Sequence, residues 1–333
     1  MKLISAPMAT LTHSAFRMLV EKFGFCDEYF TEMIHAPSLL NNGQFEKYYV
    51  DTAPCPEKIV WQLTGKCEKS IVEATKMLSA FPGIGIDINM GCSAPEIVKS
   101  GAGIAWMLKP VAETRSVVMG VKNVLLEYEA KTKIHKRLSV KCRLGDDDFT
   151  DEEFFGFCKM LSDCGVELIS IHPRTKKEKY REKPRYEYAE KLAHMLLGKT
   201  EVFVNGDIDE TTFEKVKALC PSCSGAMIAR AQVQKPWIFA LVSGAMQGVE
   251  VNLLETALYF IDCVKRQQPH EFWKSRLDRF FTYYANNFSF AHYAKTLLLN
   301  AKTPDECERV LRQYFEKVPE DLLKKCDDLT ECP

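Results

Sequence analysis

The chain has 333 residues, enough for one large core with an appendage or for two ordinary domains, and 46% hydrophobic residues mark it as a folded globular protein. With 44 Lys and Arg against 45 Asp and Glu the formal net charge is -1, so a polyanion partner must be met by a local basic patch and not by the whole molecule. No apolar run reaches membrane-spanning length, which argues against a membrane partner, and 13 cysteines without a signal peptide point to free thiols in a reducing cytoplasm.

From the first residues to about Gly248, short β-branched runs alternate with longer amphipathic stretches. Eight strands are predicted: Lys2–Pro7, Glu28–Thr31, Lys58–Leu63, Ile84–Met90, Leu138–Arg143, Glu167–His172, Glu201–Asn205 and Ala226–Ala229. Most are followed by helical periodicity, as in Ser70–Ala80 with Ile71, Ala74, Met77 and Leu78 on one face, or Asp151–Cys164 with Phe154, Phe155, Cys158 and Leu161. Eight βα units predict a closed (β/α)₈ TIM barrel. The alternative, a doubly wound open sheet, is weakened because no G-x-G-x-x-G follows the first strand. After Gly248 the strand signal stops, and five helices are predicted at Leu253–Arg266, Glu271–Asn286, Phe290–Leu299, Pro304–Phe315 and Glu320–Lys325. The expected organisation is a catalytic barrel over residues 1–243 and an all-helical C-terminal domain over residues 251–333, hinged at Gly244–Glu250. The pair Cys220-Pro221-Ser222-Cys223 lacks the second pair that a four-ligand zinc site needs, so no metal is expected. Nothing in the sequence fixes an oligomeric state.

In such a barrel the C-terminal ends of all strands face one mouth, and here those ends are polar in turn. They read Ala6-Pro7-Met8-Ala9, Thr31-Glu32-Met33, Gln62-Leu63-Thr64-Gly65, Asn89-Met90-Gly91-Cys92, Lys141-Cys142-Arg143, His172-Pro173-Arg174-Thr175, Asn205-Gly206-Asp207 and Ala229-Arg230. The small residues and the arginine of the last two strands suit a phosphate monoester, in the usual phosphate corner of these barrels. Gln62 and Lys141 lie where a flat heterocycle attached to that phosphate would sit, and a lysine there would stabilise negative charge gained on reduction of a flavin. Pro7, Met8 and Ala9 offer an apolar platform for one face of the ring. Asn89, Cys92, Arg143 and Arg174 are left for the other.

These residues resemble the tRNA-dihydrouridine synthase family. The resemblance runs through Pro7-Met8, Thr31-Glu32-Met33, Gln62-Leu63-x-Gly65, Asp87-Ile88-Asn89-Met90-Gly91-Cys92, Lys99-Ser100-Gly101-Ala102-Gly103, Val140-Lys141-x-Arg143-Leu144-Gly145, His172-x-Arg174-Thr175, Asn205-Gly206-Asp207 and Met227-Ile228-Ala229-Arg230. It implies an FMN flavoprotein and oxidoreductase acting in tRNA processing, with NADPH (NADP as the spent form) as reductant. By that resemblance Cys92 is the general acid, Gln62, Lys141 and Arg230 hold FMN, His172 lies by the flavin or its phosphate, and Asn89, Arg143 and Arg174 orient the uracil. Ser93 stands where the family commonly has proline, with Pro95 two residues on.

The RNA-binding patch is expected in Arg174–Tyr186, which mixes cations with aromatics beside the mouth. In the helical part Arg276, Arg279, Tyr283, Tyr284 and Lys295 are further candidates, against the competing reading that an aromatic stripe at helical spacing is core. Two other functions fit less of the chain. A dihydroorotate dehydrogenase or ene-reductase would share the flavin barrel but needs neither the helical part nor the basic loop. A non-catalytic RNA-binding relative has no use for Cys92, Lys141 and Arg230 together.

Overall fold

In a computed structural model of the protein, which describes residues 1–326, eight parallel strands close into a ring. They are β1 (Lys2–Ser5), β2 (Glu28–Phe30), β3 (Ile59–Thr64), β4 (Gly85–Met90), β5 (Arg137–Cys142), β6 (Leu168–Ile171), β7 (Glu201–Asn205) and β8 (Gly225–Ile228). Neighbours in sequence are neighbours in the sheet, and β1 pairs with β8 through Lys2 opposite Gly225 and Ser5 opposite Ile228. All eight predicted strands are present, with ends that differ by no more than two residues.

Strand alternation sorts the side chains. Ile86, Ile88, Leu138, Val140, Ile169, Ile171, Val202 and Val204 point outward into the large core between sheet and helices. Ile4, Ala6, Phe30, Val60, Leu168, Phe203 and Met227 form a separate cluster that fills the barrel interior. Below it, Glu28 and Arg137 are buried and share a bidentate ion pair at 3.0 and 2.5 Å. Gly85 must be glycine there, because a Cβ would lie 2.0 Å from the carbonyl oxygen of Arg137. Above it, the same inward positions carry Gln62, Asp87, Asn89, Lys141, His172 and Asn205, all nearly inaccessible except where they meet the mouth.

The outer helices include α1 (Ser14–Glu21), α2 (Glu68–Ser79), α3 (Val111–Thr132), α4 (Asp151–Asp163), α5 (Tyr186–Met195) and α6 (Phe213–Leu219). Thr150 and Glu153 start α4 with a reciprocal capping box. A short helix, α7 (Arg230–Gln234), follows β8 and leads to the helical part: α8 (Leu253–Gln267), α9 (His270–Tyr284), α10 (Ala291–Asn300) and α11 (Pro304–Lys317). Asn252 and Thr303 cap α8 and α11 through the backbone N–H groups of Glu255 and Glu306.

Two expectations fail in this region. Strand structure does not stop at Gly248, since Glu250–Asn252 pairs antiparallel with Leu323–Lys325, and the helix predicted at Glu320–Lys325 is only a 3₁₀ turn, Pro319–Asp321, before that strand. Three-residue strands are too short to show a period of two. A two-residue strand, Ile34–His35, was missed for the same reason. The junction itself carries Gly244 and Gly248 in left-handed conformation, and Gly248 N–H donates to the carbonyl of Cys326 at 2.9 Å.

The helical part lies against the barrel. α8 packs on α1, and Asn287 Nδ2 donates to the carbonyl of Gln234 at 2.6 Å. A buried ion pair, Arg276 to Glu32 at 2.6 Å, joins α9 to the loop after β2. Arg276 and Tyr284, read as possible RNA contacts, are core residues: Tyr284 is fully buried and donates to the carbonyl of Leu253. Among the described residues no helix is long and apolar enough to cross a membrane. The 12 cysteines among them form no disulfide, and Cys220 and Cys223 turn their thiols toward the backbone carbonyls of Tyr186 and Ala189.

Candidate active site

One cavity of about 590 Å³ opens at the C-terminal ends of the strands. That is a normal size for a small-molecule site, roughly 300–1,000 Å³. It is lined by Pro7, Met8, Ala9, Gln62, Asn89, Cys92, Lys141, Arg143, His172, Asn205, Gly206, Asp207, Ala229 and Arg230, so 14 of the 15 residues singled out from the sequence meet there.

Arg174 is the exception. Its side chain is 1% exposed and lies behind the wall, donating to the carbonyl of Glu182 at 2.6 Å, to Asp207 and to the His172 ring at 2.9 Å. It braces His172 and Asp207 rather than facing a ligand. The reason is local: the strand ends at Ile171, so the period of two no longer sets the direction in which Arg174 points.

A hydrogen-bonded chain fixes the floor. Ser139 Oγ donates to Asp87 at 2.7 Å, Gln62 Nε2 donates to the other Asp87 oxygen at 2.7 Å, and Asn89 Nδ2 donates to Gln62 Oε1 at 2.9 Å. Asn89 Oδ1 then accepts from the backbone N–H of Cys92 at 2.9 Å. Burial pushes the Asp87 carboxyl up to about 6 against these hydrogen bonds. Cys92 is half-buried, and its carbonyl accepts from Ile104 N–H at 3.0 Å. Gly103 sits directly beneath it, where a Cβ would come within 2.5 Å of that carbonyl. This accounts for the second glycine of Lys99-Ser100-Gly101-Ala102-Gly103.

The walls are cationic. Lys141 is partly buried and donates to Asn205 Oδ1 at 3.1 Å, while Asn205 Nδ2 donates to the carbonyl of Met227 at 2.6 Å. Burial and then Arg143 push the Lys141 ammonium down to about 8. The same burial, with Arg143, Lys141, Arg174 and Arg230 around it, holds His172 well below its ordinary value, so its ring is neutral near pH 7. Arg143 donates Nε to the carbonyl of Gly91 at 3.1 Å and one terminal nitrogen to the carbonyls of Thr175 and Lys179 at 3.3 and 3.4 Å. It thereby ties the Cys92 loop to the loop after β6.

Asp207 lies between Arg174 and Arg230 and pairs with both. Burial opposes its charge, but the two arginines hold it below the usual carboxylate range. Gly206 must lack a side chain, since a Cβ would meet the His172 ring at 2.8 Å. An anion at this corner would therefore engage Arg230, with Asp207 setting the arginine's position.

The lining also takes in Met33, Ser93 and Pro95, which had no site role in the sequence reading, and Lys179, Tyr180, Arg279 and Tyr283, which were read there as RNA contacts and not as part of the cavity. Tyr180 is 62% exposed and stands over the mouth, with the guanidinium groups of Arg143 and Arg230 at 5.7 and 4.9 Å from its ring. Arg279 and Tyr283 come from α9, one and two turns beyond Arg276. They share one face of α9 at i, i+4, beside the buried Phe280, Phe281 and Tyr284.

Comparison with known proteins agrees with this geometry. A family model described as Dihydrouridine synthase (Dus) matches residues 4–330. The chain is 32% identical over 268 residues to a probable tRNA-dihydrouridine synthase of Aquifex aeolicus, covering 78% of each protein. It is 30% identical over 240 residues to one from Helicobacter pylori, covering 71% of this chain and 68% of that one. A mouse tRNA-dihydrouridine(47) synthase-like protein, whose name specifies NAD(P)(+), is 29% identical over 243 residues, which are 72% of this chain and 35% of the longer mouse protein. A match over nearly the whole length, on a barrel whose mouth gathers these side chains, means that the chain belongs to the dihydrouridine synthase family.

Proposed function

We propose that this protein is a tRNA-dihydrouridine synthase that reduces the C5=C6 bond of a uridine in tRNA, with FMN as cofactor and NADPH as reductant. The observation that carries the reading is the convergence of Cys92, Asn89, Lys141, Arg143, His172 and Arg230 on one cavity from four different strand ends. The relatives' names supply the tRNA substrate, and the mouse name supplies a nicotinamide reductant.

The residues present fit a flavin mononucleotide. Lys141 is a partly buried cation with one protein acceptor among the described residues, so two ammonium hydrogens are left for a ligand. Pro7, Met8 and Ala9 would carry one face of the ring, Gln62 and Lys141 its polar edge, and His172, Asn205, Gly206, Ala229 and Arg230 the ribityl phosphate, with Asp207 aiming Arg230. When bound, FMN supplies the hydride for the uracil ring.

The protein's own part is to position and protonate. Asn89 spends one amide hydrogen on Gln62 and keeps one for a uracil carbonyl, and Arg143 keeps one terminal nitrogen without a protein partner among the described residues. Cys92 gives its thiol proton to C5 as the general acid. A uridine stacked in folded tRNA cannot reach this floor, so it must be extruded into the mouth. We assign catalysis to residues 1–243 and tRNA placement to the helical part, 251–333, of which 327–333 lie outside the described residues, and we place the enzyme in the cytoplasm.

The test is conversion of unmodified tRNA by the purified protein with FMN and NADPH, read by mass-spectrometric mapping of dihydrouridine. Loss of one dihydrouridine from the tRNA of cells lacking the protein is the matching expectation in vivo. A protein that binds no flavin, or that leaves tRNA unreduced, would refute the reading.

A further inference from the structure

The helical part is more than a handle for RNA, because two of its side chains are part of the catalytic cavity itself. Arg279 and Tyr283 line it together with the Cys92–Pro95 loop and the FMN-corner residues. Their placement is built. Arg276, one turn before Arg279 on the same face of α9, makes the buried ion pair with Glu32, and Glu32 also accepts from the backbone N–H of Thr10 at 2.5 Å. The Arg276 guanidinium further lies 5.1 and 5.8 Å from the rings of Phe272 and Tyr49. α9 is therefore held in register with the strand-two end of the mouth, where Met33 also faces the cavity.

Arg279, like Lys141, Arg143 and Lys179 in the same lining, has no carboxylate partner among the described residues. Arg276, Arg230, Arg174 and Lys176 each have one. The Arg279 guanidinium is exposed and stands 5.5 Å from the Tyr283 ring, which restricts the side chain without using its hydrogen-bond donors. A cationic fork fixed beside a half-buried aromatic face, on the rim of a cavity that takes a nucleobase, matches a phosphate next to a ribose or base.

We propose that Arg279 and Tyr283 form a nucleotide subsite that grips a backbone phosphate and the adjoining sugar or base of the RNA whose uridine enters the cavity. The inference rests on the reading of RNA as substrate. It makes the helical part a specificity-determining wall of the active site. NADPH also carries phosphate next to ribose, and the two sources are separated by measuring the half-reactions apart.

The experiment uses the full FMN-loaded chain with Arg279→Ala, Arg279→Lys and Tyr283→Ala. Arg279→Ala should raise the KM for tRNA by about tenfold to a hundredfold, the loss of one charge-assisted contact, with kcat at saturating tRNA changed much less. The log–log salt slope of tRNA binding should flatten by roughly 0.7–0.9, and Arg279→Lys should restore the slope. Tyr283→Ala should raise KM and leave the slope alone. The rate at which NADPH bleaches the flavin should move in none of them.

Parental KM and salt slope in Arg279→Ala would overturn the proposal, as would a defect confined to flavin bleaching, which would give the subsite to the reductant. If the wild-type protein bound tRNA without reducing it, the functional reading would fail while the Arg279 dependence of binding still decided this one.

Discussion

At the scale of single residues, the site is a set of inward strand positions whose neighbours constrain them. Cys92→Ala should keep FMN and tRNA binding yet lose dihydrouridine formation by about 10²–10⁴-fold, the usual worth of a placed general acid. The measurement is single-turnover reduction of tRNA by pre-reduced enzyme, and full turnover in that assay would make the thiol structural. Asp87 offers a test in pH. Its carboxyl is held at about 6 by burial, above its ordinary value, so the folded chain keeps a proton that the unfolded chain releases. Stability from this group is present below about pH 4 and is lost as pH rises to about 6, by up to about 3 kcal/mol for a shift of this size. Asp87→Asn removes the titration and keeps an acceptor for Gln62. The wild-type minus variant difference in urea unfolding free energy should therefore fall across that window and level off above it; a flat difference would mean the carboxyl is ionised throughout. The polar positions were legible in the sequence because a period of two places Gln62, Asp87, Asn89 and Lys141 inside the ring. Arg174 was not, because beyond the last residue of β6 the alternation no longer says which way a side chain turns.

At the scale of elements, the loop after β6 and the docking of α9 would, in the proposed function, decide how RNA meets the mouth. The basic loop reads as one patch in sequence, but Lys176 pairs with Asp146 at 2.5 Å and Lys177 lies 3.6 and 3.8 Å from Asp146 and Asp147. Lys179, Arg181 and Lys183 are exposed and carry no ion pair among the described residues. Neutralising these three should weaken tRNA binding and reduce the salt slope by about two units, whereas neutralising Lys176 and Lys177 should change it far less. Titrations at several salt concentrations distinguish the two sets, and equal slopes would erase the distinction. No sequence pattern reveals that pairing, because Asp146 and Asp147 belong to the preceding βα unit. For α9, Arg276→Ala leaves Glu32 buried without its cation and should cost about 3–5 kcal/mol, read as a lower urea midpoint. The helices themselves were legible from their apolar spacing. The ribbon that fastens their end, Glu250–Asn252 with Leu323–Lys325, was not, since its partners are more than seventy positions apart and each is three residues long.

At the scale of the whole molecule, a cavity lined by Lys141, Arg143 and Arg230 gathers like charges that an anionic ligand would relieve. Stripping FMN should lower the thermal midpoint, and adding it back should restore it with the logarithm of concentration, about 2.7 kcal/mol at one hundred times Kd. A midpoint indifferent to FMN would place the flavin elsewhere. The barrel as a whole was legible because eight βα repeats leave few alternatives, while the wall that α9 adds to its mouth depends on contacts that bridge the two halves of the chain. The pairing of β1 with β8 has a consequence for biosynthesis. Residues 2–5 have no partner on that side until residues 225–228 have left the ribosome. At about 5–20 residues per second the first strand waits some tens of seconds with one backbone edge unpaired, a template for association with other nascent chains. No partial ring can hold the mouth together, so the proposed dihydrouridine formation would report ring closure more sharply than any spectroscopic measure of helix content.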